Sequence, residues 1–195
     1  RSCEPRLMLS RRDSSLQPKT LIWSAGKKKP SSYVRDLICK PKMVTRGVGL
    51  GMKSMSVNLL LDTNILVYAY DTAVESKRRP ALEILDTCAK NRQAVISSQV
   101  LGEFAFVVSR KLEHPITGEQ LMLTVDRLAK SFPVLPVNAF IVREAVRGME
   151  QYQMSFWDAQ IWATARLNQI GKILTEDVPG QAYIEGVRYI NPFED

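Results

Sequence analysis

The chain has 195 residues, 45% of them hydrophobic and 24% charged, which is enough apolar material for one ordinary domain with an extension and too much for wholesale disorder. No stretch approaches the roughly 18 uninterrupted apolar residues of a membrane-crossing helix, so that class is excluded. The formal net charge of +7 belongs to the front of the chain: residues 1–54 carry 13 Lys/Arg against 3 Asp/Glu, whereas residues 55–195 carry 14 against 17.

Residues 1–54 are rich in Ser, Pro, Lys and Arg, lack sustained periodicity and include Lys27-Lys28-Lys29-Pro30. Three readings are open: a basic arm drawn to nucleic acid, a solvated disordered tail, or no genuine part of the native protein. The last is favoured. The chain begins with Arg1, while Met52 and Met55 lie just before the first strand-like run, so translation is expected to start at one of them. A secretory or transit signal fits poorly, because no continuous apolar core precedes a small-residue cleavage site. The expected organisation is therefore a basic, disordered or non-native extension over 1–54 and a folded domain over 55–195.

From residue 56 onward, strand-like and helix-like patterns alternate. Apolar runs predict strands at 57–61, 94–97, 134–137, 172–175 and 187–190, several without in/out alternation, as in parallel strands buried on both faces. Amphipathic stretches predict helices at 63–70, 76–90, 98–112, 118–130, 138–152 and 156–170, the last stopping at Gly171. Such alternation implies an α/β fold, an open, mostly parallel sheet flanked by helices in three layers. Ligands of such sheets bind beyond the carboxyl ends of the strands.

Four carboxylates stand at informative places. Asp62 and Asp177 directly follow strand-like runs, which sets both at that edge. Asp62-Thr63-Asn64 also reads as a helix N-cap. Glu103 falls about 60° from Val100 on the flank of an apolar helical stripe, at ~100° per residue. Asp158 sits three residues after Ser155, as in a capping box, yet aligns with Ile161, Trp162 and Ala165 on the inward face. Glu176-Asp177 is equally a turn signal; Asp177 is the better ligand candidate and Glu176 a reserve. Acids beside apolar surface are costly unless a positive charge compensates them, and four that converge suit a hard cation such as Mg2+ or Mn2+.

Absences narrow the chemistry. His114, the sole histidine, lies at a helix end beside Pro115, which excludes a two-histidine ribonuclease mechanism within one chain. There is no Gly-x-Ser-x-Gly elbow, no Gly-Lys-Ser/Thr phosphate loop and no dinucleotide glycine signature after the first strand. Cys3, Cys39 and Cys88 are odd in number and far apart, without disulfide or zinc spacing. A reducing cytoplasm fits them, with Cys88 a small core residue.

In order, the phrases Leu61-Asp62-Thr63-Asn64-Ile65-Leu66-Val67-Tyr68-Ala69, Ile96-Ser97-Ser98-Gln99-Val100-Leu101-Gly102-Glu103-Phe104 and Leu135-Pro136-Val137 continue into Met154-Ser155-Phe156-Trp157-Asp158-Ala159, Ile173-Leu174-Thr175-Glu176-Asp177 and Tyr189-Ile190-Asn191-Pro192-Phe193. Together they resemble a PIN-domain ribonuclease of the VapC toxin type, over residues 57–193. The resemblance implies that Asp62, Glu103, Asp158 and Asp177 form an acidic centre holding one or two Mg2+ or Mn2+ ions, with Thr63, Asn64 and Thr175 as water-holding or supporting groups. It further implies hydrolysis of RNA by external water, leaving a 3′-hydroxyl and a 5′-phosphate, a small antitoxin that blocks the site, and a homodimer. Substrate grip would come from scattered basic residues such as Arg110, Lys111 and Arg166, each of which is more simply read as a solvated surface residue. One departure from the family pattern is the loop Val178-Pro179-Gly180-Gln181, which puts the local loop shape in question. The competing readings are a housekeeping PIN nuclease without an antitoxin, a haloacid-dehalogenase-like phosphatase, and an RNA- or partner-binding module without catalysis. The phosphatase normally needs a second acid two residues after the first, where this chain has Asn64.

Overall fold

The computed structural model describes residues 58–194. The expectations for the basic segment, Cys3, Cys39 and the Met52 or Met55 start lie outside the described residues.

Apolar runs too short for helices become strands, and the longer amphipathic stretches become helices. The order is β1 (Leu59–Leu61), α1 (Thr63–Tyr70), α2 (Glu75–Asn91), β2 (Ala94–Ser97), α3 (Ser98–Arg110), α4 (Gly118–Ser131), β3 (Val134–Leu135), α5 (Ala139–Tyr152), α6 (Phe156–Leu167), β4 (Lys172–Leu174), β5 (Tyr183–Ile184) and β6 (Val187–Ile190). The strands form one sheet in the order β3-β2-β1-β4-β6-β5. Every pairing is parallel except β5 with β6. The expected α/β architecture is thus observed. β1 and β2 are buried at every residue, which is why their sequences read as unbroken apolar runs.

The chain leaves β1 for β2 on one side and reaches β4 on the other, so the carboxyl ends of β1 and β4 flank the point where strand order reverses. This is the crevice in which open α/β sheets bind ligands. A backbone bond from Asp62 N–H to Leu174 O (3.0 Å) ties the two strand ends together across it.

Two helices, α5 and α6, hold in place the segment that carries Asp158. α6 is buried continuously from Ala159 to Ala165, and α5 approaches it closely at Gly148. A Cβ there would lie 2.9 Å from both Cε3 and Cζ3 of Trp162. Arg147 and Arg166 lie against the same indole and share the carboxylates of Glu144 and Glu185, which locks α5, α6 and the β5–β6 turn together.

Three local expectations are corrected. β3 stops at Leu135, because Pro136 has no N–H to continue the ladder. α6 ends at Leu167 rather than 170, with Gln169 in the left-handed region (φ 58°) and Ile170 N–H bonding to Ala165 O at 2.8 Å; Gly171 does not stop the helix. β5 was not expected. It pairs through a two-residue turn, Glu185-Gly186, whose φ values of 43° and 90° match the mirror-image turns that suit a twisted hairpin. As expected, Cys88 is buried; His114 is exposed.

Candidate active site

At the reversal of strand order the surface opens into a pocket of about 260 Å³, lined by Asp62, Thr63, Asn64, Val67, Tyr68, Glu103, Val107, Trp157, Asp158, Ile161 and Asp177. All four candidate acids therefore reach one pocket. They arrive from separate segments: the end of β1, the second turn of α3, the first turn of α6 and the loop after β4.

Asp62 is 8% exposed. It is the N-cap of α1 and accepts from Thr63 N–H at 2.6 Å; its second oxygen accepts from Thr175 Oγ1 at 2.6 Å and Asn64 Nδ2 at 3.3 Å. Burial pushes its carboxyl up to about 6; the bonds from Thr175 and Thr63 oppose this, and the charges of Glu103 and Asp158 add to it. The cap reading and the site reading are thus both realised in one residue.

Glu103 is half-buried and accepts from Thr63 Oγ1 (2.9 Å) and Gln99 Nε2 (2.8 Å). Gln99 in turn accepts from Gln160 Nε2 at 2.7 Å and donates to Trp157 O at 3.1 Å. Asn64 Nδ2 also donates to Thr175 Oγ1 (3.0 Å) and Asp177 Oδ2 (3.2 Å), while Asp177 N–H donates to Thr175 Oγ1 at 3.0 Å. Ser155 caps α6 and Asp158 bonds back to the cap's hydroxyl rather than to its backbone N–H as a capping box would: Asp158 N–H donates to Ser155 Oγ (3.2 Å), and that hydroxyl donates to Asp158 Oδ2 (2.7 Å). One network, Gln160–Gln99–Glu103–Thr63–Asp62–Thr175–Asn64–Asp177, holds the pocket.

Gln99 and Gln160 were not singled out from the sequence. Gln99 stands four residues before Glu103 on one helix face, a spacing that could have marked it; the link to Gln160 exists only in the folded molecule. Glu176 does not join the pocket lining. It is paired with Lys77 and accepts from Tyr68 Oη, so it braces the wall behind Tyr68. Arg166 is likewise not free to grip a substrate, since Glu144 and Glu185 hold its guanidinium. Lys111 lies over the Phe106 ring at 5.7 Å.

Among the described residues, no lysine or arginine pairs with Asp62, Glu103, Asp158 or Asp177. Their partners are neutral hydroxyls and amides, which orient a carboxylate but leave its charge uncompensated. As they stand, no three His, Cys, Asp or Glu side chains among the described residues are grouped tightly enough to hold an ion. In kind, the donor set fits a hard divalent cation: it is all oxygen and anionic. Asn64 Oδ1 is also buried without a hydrogen-bond partner, a costly state for an amide oxygen and one that water or a cation relieves.

A model of the PIN domain family matches residues 59–178. The chain belongs to the PIN domain family. No curated protein matches this PIN protein in sequence, but solved structures do. A toxin–antitoxin complex from Klebsiella pneumoniae is 25% identical with a TM-score of 0.53, over 70% of this chain and 99% of that one. DNA-bound VapBC from Salmonella typhimurium is 16% identical (TM-score 0.52), over 70% and 98% of the two chains. VapBC2 from Rickettsia felis, bound to a promoter DNA fragment, is 23% identical (TM-score 0.50), over 68% and 97%. The latter two share the PIN fold with this chain. Among the described residues, no helix is long and apolar enough to cross a membrane.

Proposed function

We propose that this PIN protein is a metal-dependent endoribonuclease and the toxin half of a VapBC-type toxin–antitoxin pair. The observation that carries the reading is the gathering of Asp62, Glu103, Asp158 and Asp177 in one pocket without a basic partner among the described residues. Such a pocket repels itself unless cations occupy it. Asp62, Glu103, Asp158 and Asp177 would hold Mg2+ or Mn2+. A bound cation of this kind supplies Lewis acidity toward the phosphate and makes nearby water more acidic.

The chain's own residues do the rest. Thr63, Thr175 and Asn64 fix the orientation of Asp62 and Asp177, and Gln99 and Thr63 fix Glu103. Ser155 positions Asp158 at the start of a helix too deeply packed to swing. Val107 and Ile161 give the pocket apolar walls, while Trp157, 57% exposed, offers an aromatic face on which an unpaired RNA base stacks. With external water as nucleophile, the products carry a 3′-hydroxyl and a 5′-phosphate.

The toxin assignment is supported by the likeness to a toxin–antitoxin complex from Klebsiella pneumoniae at 25% identity and to VapBC folds. A small antitoxin covering the pocket, a homodimer and a cytoplasmic site of action follow from that assignment.

Incubating the full chain with total RNA, with and without EDTA, and mapping the cut ends tests the chemistry. Cleavage abolished by EDTA and restored by Mg2+ or Mn2+, with 5′-phosphate ends, is expected. Cyclic phosphate ends or EDTA-insensitive cutting would overturn it. A small neighbouring reading frame whose product co-purifies with the chain and inhibits it would separate the toxin from a housekeeping nuclease.

A further inference from the structure

The opposite end of the sheet carries a second concavity with the reverse charge. A cavity of about 220 Å³ is lined by Asn58, Gly171, Lys172, Tyr183, Gly186 and Arg188, at the amino ends of β1, β4 and β6. Register explains its composition. Lys172 pairs with Leu59 on one side and Arg188 on the other, and Arg188 pairs with Tyr183. Side chains in register across neighbouring strands share a face, so Lys172, Arg188 and Tyr183 stand in one row on adjacent strands.

Strands lie ~4.8 Å apart, and like charges directly opposite one another destabilise a sheet. Elsewhere this protein compensates paired cations: Arg147 and Arg166 share Glu144 and Glu185. Lys172 and Arg188 have no such relief, for neither is ion-paired among the described residues, and Arg188 meets only the Tyr183 ring, 5.9 Å from its centroid. The carboxylate of Glu185, in the adjoining turn, is committed to Arg147 and Arg166. This pair of cations sits in a region of negative net charge, with 14 Lys/Arg against 17 Asp/Glu over residues 55–195.

The cavity also has a floor that depends on a missing side chain. A Cβ at Gly171 would lie 3.3 Å from Asn58 Oδ1 and 3.9 Å from Gly186 O, so it would partly fill the space between them. Tyr183, 60% exposed, stands at the rim with Arg188 over one side of its ring.

We propose that this cavity is a second binding site, for a nucleotide phosphate held by Lys172 and Arg188 with its base against Tyr183. The phosphate belongs either to a free mononucleotide or to a nucleic-acid strand. Two adjacent cations favour a phosphate oxyanion, the amide of Asn58 adds a polar group, and a base stacks on tyrosine without sequence preference. The site is independent of the proposed cleavage chemistry, because the two lie at opposite ends of the strands.

Titration of the full chain with 5′-AMP, adenosine, inorganic phosphate and a short oligoadenylate, followed by calorimetry in EDTA, tests the proposal without reading cleavage. The variants are Lys172→Gln/Arg188→Gln, which removes both charges, and Gly171→Ala, which fills the floor while keeping them; circular dichroism checks that each folds. The expected result is binding of 5′-AMP weakened about ten-fold or more by each variant, with adenosine failing to bind and inorganic phosphate binding more weakly than 5′-AMP. Tighter binding of the oligoadenylate than of 5′-AMP, with the same sensitivity to the variants, identifies a strand as the ligand; equal binding identifies a free nucleotide. Binding of all probes that is unchanged in both variants would overturn the proposal and assign it to the basic residues 1–54 or another surface, and no binding at millimolar concentrations would overturn it as well.

Discussion

Asp62 makes the stability of this protein depend on pH in a direction opposite to that of most carboxylates. Its carboxyl is raised from 3.8 to about 6, chiefly by burial. A group whose folded-state pKa lies above its unfolded value contributes stability that is fully present below pH 3.8 and is lost as pH rises through about 6. At ~1.4 kcal/mol per pH unit, the loss amounts to about 3 kcal/mol. Glu144 and Glu185 act the other way below their ordinary range, because Arg147 holds both carboxyls down, so the raw curve mixes opposing slopes. The difference between wild type and Asp62→Asn isolates the one of interest. Asparagine keeps one acceptor oxygen for Thr63 or Thr175 and gives up the other, a cost of about 1 kcal/mol. Urea unfolding in EDTA should therefore find the variant less stable at pH 4 by about 0.5 kcal/mol and more stable at pH 7 by about 2 kcal/mol. The two curves cross near pH 4.5. Mg2+ added at pH 7 should stabilise the wild type and leave the variant nearly unmoved. Parallel curves from pH 4 to 7.5 would mean that Asp62 does not titrate in this window, and the reasoning from burial and repulsion would fail with it.

Three further outcomes are expected. Asp158→Asn should cut RNA cleavage by about 100-fold or more while melting close to the wild type, because the amide oxygen still accepts from Ser155; a variant that unfolds but keeps normal specific activity in its folded fraction would reduce Asp158 to a helix cap. Gln99→Leu strands Glu103 Oε1 and Gln160 Nε2 without their partner and should cost about 1–3 kcal/mol in chemical denaturation, with a loss of activity from a freed Glu103. Gly148→Ala forces a methyl group to 2.9 Å from two ring carbons of Trp162 and should cost about 1–3 kcal/mol, visible as a lower melting temperature and altered Trp fluorescence.

The sheet and most helices could be read from the chain because their signals are local. Leu59-Leu60-Leu61 can be buried on both faces only in a central strand, and an acid directly after such a run must lie at the sheet's edge. Which side chains meet there was legible only as a resemblance, since Asp62 and Asp177 come together through the β1–β4 pairing, a contact between residues more than a hundred positions apart. The Gln99–Gln160 bond, the capture of Arg166 by Glu144 and Glu185, and the turning of Glu176 toward Lys77 all depend on tertiary neighbours that carry no local mark. β5 is only Tyr183–Ile184, too short for periodicity; its one signal is the Glu185-Gly186 turn.

The acids are scattered over four segments, and the last of them is positioned by a strand that pairs with β6. A ribosome making this protein therefore completes no acidic pocket until almost the whole domain has emerged. If the centre cleaves RNA, the transcript being translated is spared by the order in which the chain is built, and the cell gains the interval of synthesis in which to supply an inhibitor.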